Sequence, residues 1–371
     1  MNRARRRFCA ASLAGVAMTA CLRAGRGHNG FDARVESDAR DGDPRTFRSV
    51  RAAIDAAPAQ RTQPWRIRIG AGTFVEKLVI DRPDIHLIGA ARDKSILSYN
   101  AAAGHTGPDG QPLGTWGCAS VIVRAPGFRA RALRIENAFD YVAEILHPTL
   151  QPIGPNGAQA VALMLDAGSD RTRLDDVDIR GHQDTLFVDT GRSLLRNCRI
   201  AGSVDFIFGA GACVLEECEI VSRHRPGKER QGFIAAPSTL AAHLAGLVFR
   251  RCHLQKETAI APRSVALGRP WRPTRTFSDG RYGDPAVRGN ATFIDCWMDD
   301  HIDATAWDAM AYTARDGSRV MFDARDARLA EFGSRGPGAI ASAVRPQLSA
   351  SEAHAYATAS VLHGWDFDAL R

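Results

Sequence analysis

Two aspartates stand 21 residues apart, Asp184 in GHQDTLF and Asp205 in VDFIFG. Each sits among Phe, Leu, Ile and Val, in a stretch that reads as β-strand. Aspartate is disfavoured in strands and costly to bury alone, so a pair in such a setting points to chemistry. Two partly desolvated carboxyls held close resist ionising together. One keeps a proton while the other stays charged, which gives a general acid beside an anionic nucleophile or base. Gln183 directly precedes Asp184, and Gln159 lies 24 residues before Gln183. Their amides can donate to a developing oxyanion without adding charge. ALGRPWRPT (266–274) adds Arg269, suited to holding an ionised aspartate, and Trp271, suited to stacking on a sugar face.

Such side chains need a scaffold that repeats. RLDDVDI (173–179), LLRNCRI (194–200), VLEECEI (214–220), VFRRCHL (248–254) and TFIDCWM (292–298) share one pattern, apolar, two polar, Val or Cys, polar, apolar, with Ile294 and Trp297 replacing polar residues in the last copy. The anchors Leu174, Leu195, Leu215, Phe249 and Phe293 advance by 21, 20, 34 and 44 residues. In an earlier copy, Leu133 lies 44 residues before Val177. Apolar residues alternate with the strand period, and Gly, Asn and Asp punctuate the strands. No long helical pattern intervenes. The expected fold is all-β, a parallel β-solenoid of stacked coils around one core. Asp184 and Asp205 each follow an anchor by ten residues, so they fall on adjacent coils, about 4.8 Å apart.

By the same arithmetic Cys198 and Cys218, 20 residues apart, are candidates for a disulfide between coils. The alternative is a ladder of buried thiols, since Cys252 and Cys296 hold the same position. Solenoid ends need covers. Residues 44–58 read as an amphipathic helix with Phe47, Val50 and Ile54 on one side, and 348–364 also reads helical, Ser349 and Glu352 forming a capping box.

The formal net charge of +7 is concentrated at the start of the chain. Six arginines and no acid fall in residues 1–26, and the remainder is close to neutral, so a nucleic-acid partner is not expected. Arg5-Arg6-Arg7-Phe8 and the apolar run to Ala20 read as an export signal, too short to span a bilayer. It has twin-arginine character, and Met18-Thr19-Ala20-Cys21 is similar to a lipoprotein cleavage box, so membrane attachment would rest on a lipid at Cys21. The chain divides into a signal (1–26) and a single domain (27–371), expected to be secreted or held in the cell envelope as a monomer. No Cys or His spacing suggests a metal.

GTFVEKL (72–78), QAVAL (159–163), GHQDTLF (181–187), VDFIFG (204–209) and LGRPW (267–271) resemble, in order, the motifs of the pectin methylesterases. APSTL (236–240), DGRYGDPA (279–286) and GPGA (336–339) are similar to the bacterial branch. The resemblance implies a right-handed parallel β-helix that hydrolyses galacturonate methyl esters of pectin without a metal or organic cofactor. It implies Asp205 as nucleophile, Asp184 as general acid then base, Gln183 and Gln159 as oxyanion donors, and Arg269 as the group orienting Asp205. Trp271, Phe187, Phe208, Thr115, Arg225, Thr274 and Met310 fall at positions that resemble substrate contacts. Two departures stand out: Phe187 where Tyr is common, and Gln231 before Gly232 where an aromatic is frequent. Against this stand a depolymerase using the same carboxyl pair, an esterase or thioesterase for another substrate, and a non-catalytic pectin-binding solenoid.

Overall fold

The computed structural model describes residues 30–39, 43–148, 154 and 157–368. The expected export signal, with Cys21, lies outside the described residues.

The repeat anchors stack directly. Leu174 pairs with Leu195, Leu195 with Leu215, Leu215 with Phe249, and Phe249 with Phe293, all in parallel register. Leu133 pairs with Val177 in the same way. The 34- and 44-residue steps are therefore single coils carrying insertions. Seventeen strands form one sheet and seven form a second, running from Leu78–Ile80 to Val265–Gly268. Successive coils contribute strands to both, which is the parallel β-helix expected. Phe249 and Phe293 stack with ring centroids 4.2 Å apart in the core between the sheets. Two antiparallel ribbons depart from the coil pattern: Thr274–Phe277 with Gly280–Gly283, and Met310–Thr313 with Arg319–Phe322.

The two polar positions in the repeat have a backbone cause. The second one is left-handed in every copy: Asp176 (φ 54°), Asn197 (51°), Glu217 (56°), Arg251 (51°) and Asp295 (53°), with Ala132 (53°) in the earlier coil. One such residue turns a corner between the strand before it and the strand after it, as between Arg192–Arg196 and Arg199–Gly202. The conformation is strained for all but Gly and, less so, Asn or Asp. The buried residue that follows it returns to the core: Leu133, Val177, Cys198, Cys218, Cys252 and Cys296.

The Cys198–Cys218 bridge is not formed. Both are free and fully buried, as are Cys252 and Cys296. Parallel stacking keeps equivalent Cβ atoms near the strand spacing, whereas a disulfide draws them to about 3.8 Å. Instead each thiol shares its proton between two carbonyls, one two residues earlier in its own coil and the anchor's one coil back: Cys198 Sγ lies 3.5 Å from Leu174 O, Cys218 3.4 Å from Leu195 O, Cys252 3.3 Å from Leu215 O and Cys296 3.6 Å from Phe249 O.

The ends are closed differently from each other. At the first coil the helix is Val50–Asp55, shorter than expected, because Thr46–Phe47 pairs as a strand with the first strand instead. Ser49 caps the helix through Ala52 N at 3.0 Å, and Glu76 of GTFVEKL accepts from Val50 N (2.7 Å) and Arg51 N (3.0 Å). These bonds satisfy donors that a helix start leaves orphaned. The C-terminal helices do not cap the solenoid. Ala350–Ala355 forms with its Ser349–Glu352 capping box, but Val361, Leu362 and Trp365 pack on Leu194, Val214 and Val248. These lie on the outer face, so the segment is a lateral strap. The last coil is closed by ions: Glu331 lies in register with Phe293, and Arg345 donates to both its oxygens at 2.8 and 2.5 Å.

Candidate active site

The seven-stranded sheet carries the carboxyl pair. Leu186–Val188 and Val204–Gly209 pair with Leu186 opposite Ile207, which sets Asp184 opposite Asp205 one coil on. Asp184 lies in the turn before its strand, and Asp205 lies where the pairing to Gly232–Pro237 slips between Val204 and Ile207. Bulges of this kind re-aim side chains beside active sites. Both aspartates adopt left-handed backbone, φ 65° and 49°. Neither is an ordinary strand residue, which resolves their poor strand propensity. Gly202 precedes this turn because any Cβ there would lie 2.3 Å from Phe206 Cβ.

The environments of the two carboxyls differ. Arg269 Nε donates to Asp205 Oδ1 at 2.9 Å and Nη2 to Oδ2 at 2.6 Å, a bidentate grip. Its guanidinium rests 3.8 Å from the Phe233 ring centroid, so the cation is itself held. Among the described residues Asp184 has no such partner. Burial first, then the charge of Asp205, holds its carboxyl well above the usual range, and Arg269 offsets only part of this. The site therefore sets a buried carboxyl at Asp184, whose proton is harder to remove, beside an Asp205 carboxyl gripped by a cation.

Gln183 and Gln159 are half-buried on neighbouring coils, linked by Ala160 N donating to Gln183 O at 3.1 Å. Among the described residues neither amide nitrogen has a protein acceptor. Gln159 Oε1 accepts from Thr115 Oγ1 at 2.9 Å. Thr115 is thus tied to a candidate oxyanion donor.

The aromatic residues converge beside the pair. Phe187 and Phe208 stack with centroids 4.2 Å apart, and Trp271 stands edge-on to both at 6.1 and 5.7 Å. Phe187 and Phe208 are only 0% and 2% exposed, so they form a floor and do not present a face to ligand. The accessible aromatic surface belongs to Trp271 and to Trp116, which is 45% exposed and 5.2 Å from Phe187. Met310 packs against this cluster, and Thr274 is exposed on its ribbon. Arg225 Nε donates to Tyr141 Oη at 3.0 Å. Gln231 is buried and clamps the preceding loop, accepting from Arg225 N at 2.8 Å and donating to Lys228 O.

Sequence reasoning missed Trp116, Phe233, Tyr141 and His182. Trp116 stood next to Thr115 in GTWG, and its exposure was not readable from the motif. Tyr141 stacks on His182 at 4.9 Å across 41 residues of sequence, which no periodicity signals.

A family model described as Pectinesterase matches residues 37–345. Pectinesterase A from Dickeya dadantii is 37% identical over 339 residues, 90% of this chain and 91% of that protein. Pectin methylesterase PemA from Erwinia chrysanthemi superposes with a TM-score of 0.86 at 38% identity, covering 90% of this chain and 98% of that one. The pectin methylesterase from Yersinia enterocolitica gives 0.82 at 40% identity, covering 86% and 100%. A further solved structure, a pectin methylesterase in complex with a hexasaccharide, gives 0.86 at 38% identity over 90% of this chain and 98% of that one. With the coil register, the carboxyl pair and the matched length all agreeing, the chain belongs to the pectinesterase family.

Proposed function

We propose that this chain hydrolyses galacturonate methyl esters of pectin to pectate and methanol, with Asp205 as nucleophile and Asp184 as acid and then base. The carrying observation is the asymmetry of the pair: Arg269 grips Asp205 with two hydrogen bonds, while Asp184 is buried, its carboxyl pushed well above the usual range. An Asp205 oxygen attacks the ester carbonyl carbon, and the carbonyl electron pair moves to oxygen. Gln183 and Gln159 donate to that oxyanion. The intermediate collapses, the methoxy group takes the Asp184 proton, and methanol leaves. Asp184, now ionised, removes a proton from water, which attacks the acyl-enzyme and frees Asp205. A weak nucleophile suffices because the ester is held against it. Trp271 and Trp116 offer faces for sugar rings, with Met310, Thr274 and Arg225 around them.

Methanol release from highly methylated pectin, measured beside viscosity, tests this reading. Methanol without viscosity loss is expected from wild type and none from Asp205→Ala. Viscosity loss without methanol would favour a depolymerase.

We further infer that the chain is exported, from its arginine-led apolar N-terminus. Fractionating cells that carry wild type or Cys21→Ala separates the addresses. Loss of membrane association in the variant marks a lipid anchor, and identical soluble distributions exclude one.

A further inference from the structure

We propose that Thr115 is a positioning residue: its hydroxyl fixes which way the Gln159 amide faces. This rests on Gln159 as an oxyanion donor.

A half-exposed glutamine turns freely about its last torsion, and the turn exchanges oxygen for nitrogen. With Nε2 toward the reacting carbonyl the side chain stabilises an oxyanion; with Oε1 there it repels one. Thr115 Oγ1 lies 2.9 Å from Gln159 Oε1 and donates to it, leaving Nε2 free to face the site. In the reversed orientation the hydroxyl would accept, and its own proton would have no protein acceptor among the described residues.

The bond is long in sequence, 44 residues, yet its two ends are braced together. Ala103 accepts from Gly114 N and donates to Gln159 O, both at 2.8 Å, so one residue joins the backbones carrying donor and acceptor. Buried Asn137 Nδ2 donates to Ala101 O (2.8 Å), Cys118 O (3.3 Å) and Val161 O (2.9 Å), fastening both segments again from beneath. A hydroxyl placed by so many bonds is preset before substrate arrives, and a preset donor incurs no reorganisation cost during reaction. Gln183 has no equivalent orienting bond among the described residues.

The test compares steady-state methanol release by wild type, Thr115→Val, Thr115→Ser, Gln159→Ala and Thr115→Val/Gln159→Ala, with melting curves as a folding control. Thr115→Val keeps the branched shape and removes the donor. Its kcat is expected to fall about tenfold with KM within about twofold, a fraction of the loss from deleting a whole oxyanion donor. Thr115→Ser restores kcat, and the double variant is no slower than Gln159→Ala. A Thr115→Val enzyme with raised KM and unchanged kcat overturns the proposal in favour of direct substrate contact. Wild-type kcat in Thr115→Val beside an impaired Gln159→Ala overturns it outright. Wild-type kcat in Gln159→Ala removes the premise instead, and so separates that failure from the first two.

Discussion

Asp184 and Asp205 occupy equivalent places on adjacent coils and share a left-handed backbone, yet only Asp205 is held by a cation. Stacking makes their backbones alike, and the later chain makes their chemistry differ. Arg269 comes from two coils beyond Asp205, on the strand segment after Val265–Gly268.

The first prediction concerns that grip. Arg269→Lys retains charge but loses the planar fork and its rest on Phe233. We expect kcat to fall on the order of 10²-fold, with the melting temperature changed little. An Arg269→Lys enzyme with wild-type kcat would show that charge alone suffices.

The second concerns Asp184. Its folded pKa is raised above the unfolded value of about 3.9, chiefly by burial. Its contribution to stability is therefore fully present below about pH 3.9 and is lost as pH rises through the folded value. Asp184→Asn imitates the protonated form at every pH. The variant is expected to lose methanol release and to melt progressively higher than wild type as pH increases from 4 to 8. A constant difference in melting temperature across that range would contradict the assigned shift.

The histidines act in the opposite sense. Burial holds His86 and His182 down to about 3 and His301 to about 4. All three fold neutral and titrate near 6.5 when unfolded, so their stability is present above about pH 6.5 and declines as pH falls toward 4. His301 shifts least of the three but is the one with both ring nitrogens buried without a hydrogen-bond partner among the described residues. His301→Leu is expected to flatten the melting-temperature profile between pH 6.5 and 4. An unchanged slope would locate the acid sensitivity elsewhere.

A fourth prediction follows from the thiol ladder. Cys198, Cys218, Cys252 and Cys296 are expected to resist alkylation in the native protein and to react completely once unfolded without reductant. Peptide mapping that recovers a Cys198–Cys218 bridge would overturn the stacked arrangement.

The corner positions give the last. Ala132 holds a left-handed conformation that suits glycine better. Ala132→Gly relieves about 1 kcal/mol of strain and returns part of it as unfolded-state entropy. A net gain of roughly 0.5 kcal/mol in denaturant titration is expected, and a loss would show that the corner is not strained.

Much of this architecture is legible in the sequence because the coil period is written in side chains. Leu174 through Phe293 align by counting, and the same count places Asp184 against Asp205. What the count does not carry is direction. Equivalent positions suggested a Cys198–Cys218 bridge, but both thiols are free, because stacking sets equivalent Cβ atoms at the strand spacing rather than at the closer approach a disulfide needs. The turn at Asp184 and the bulge at Asp205 were hidden inside apolar stretches that look like plain strand. Contacts across long separations were also out of reach. The Thr115–Gln159 bond joins two inserted loops, and the strap from Val361 to Trp365 meets strands more than 100 residues earlier. Neither leaves a period to read.

The insertions that lengthen two coils to 34 and 44 residues leave the anchor register intact. The stack thus behaves as a ruler with ornaments: its divisions are set by backbone pairing, and what hangs from a division does not move the marks. Separation of the two carboxyls is one division of that ruler. The ribbons Thr274–Phe277 and Met310–Thr313 hang outside it. A change of length or sequence in an ornament would therefore leave the interval between Asp184 and Asp205 where the backbone pairing sets it.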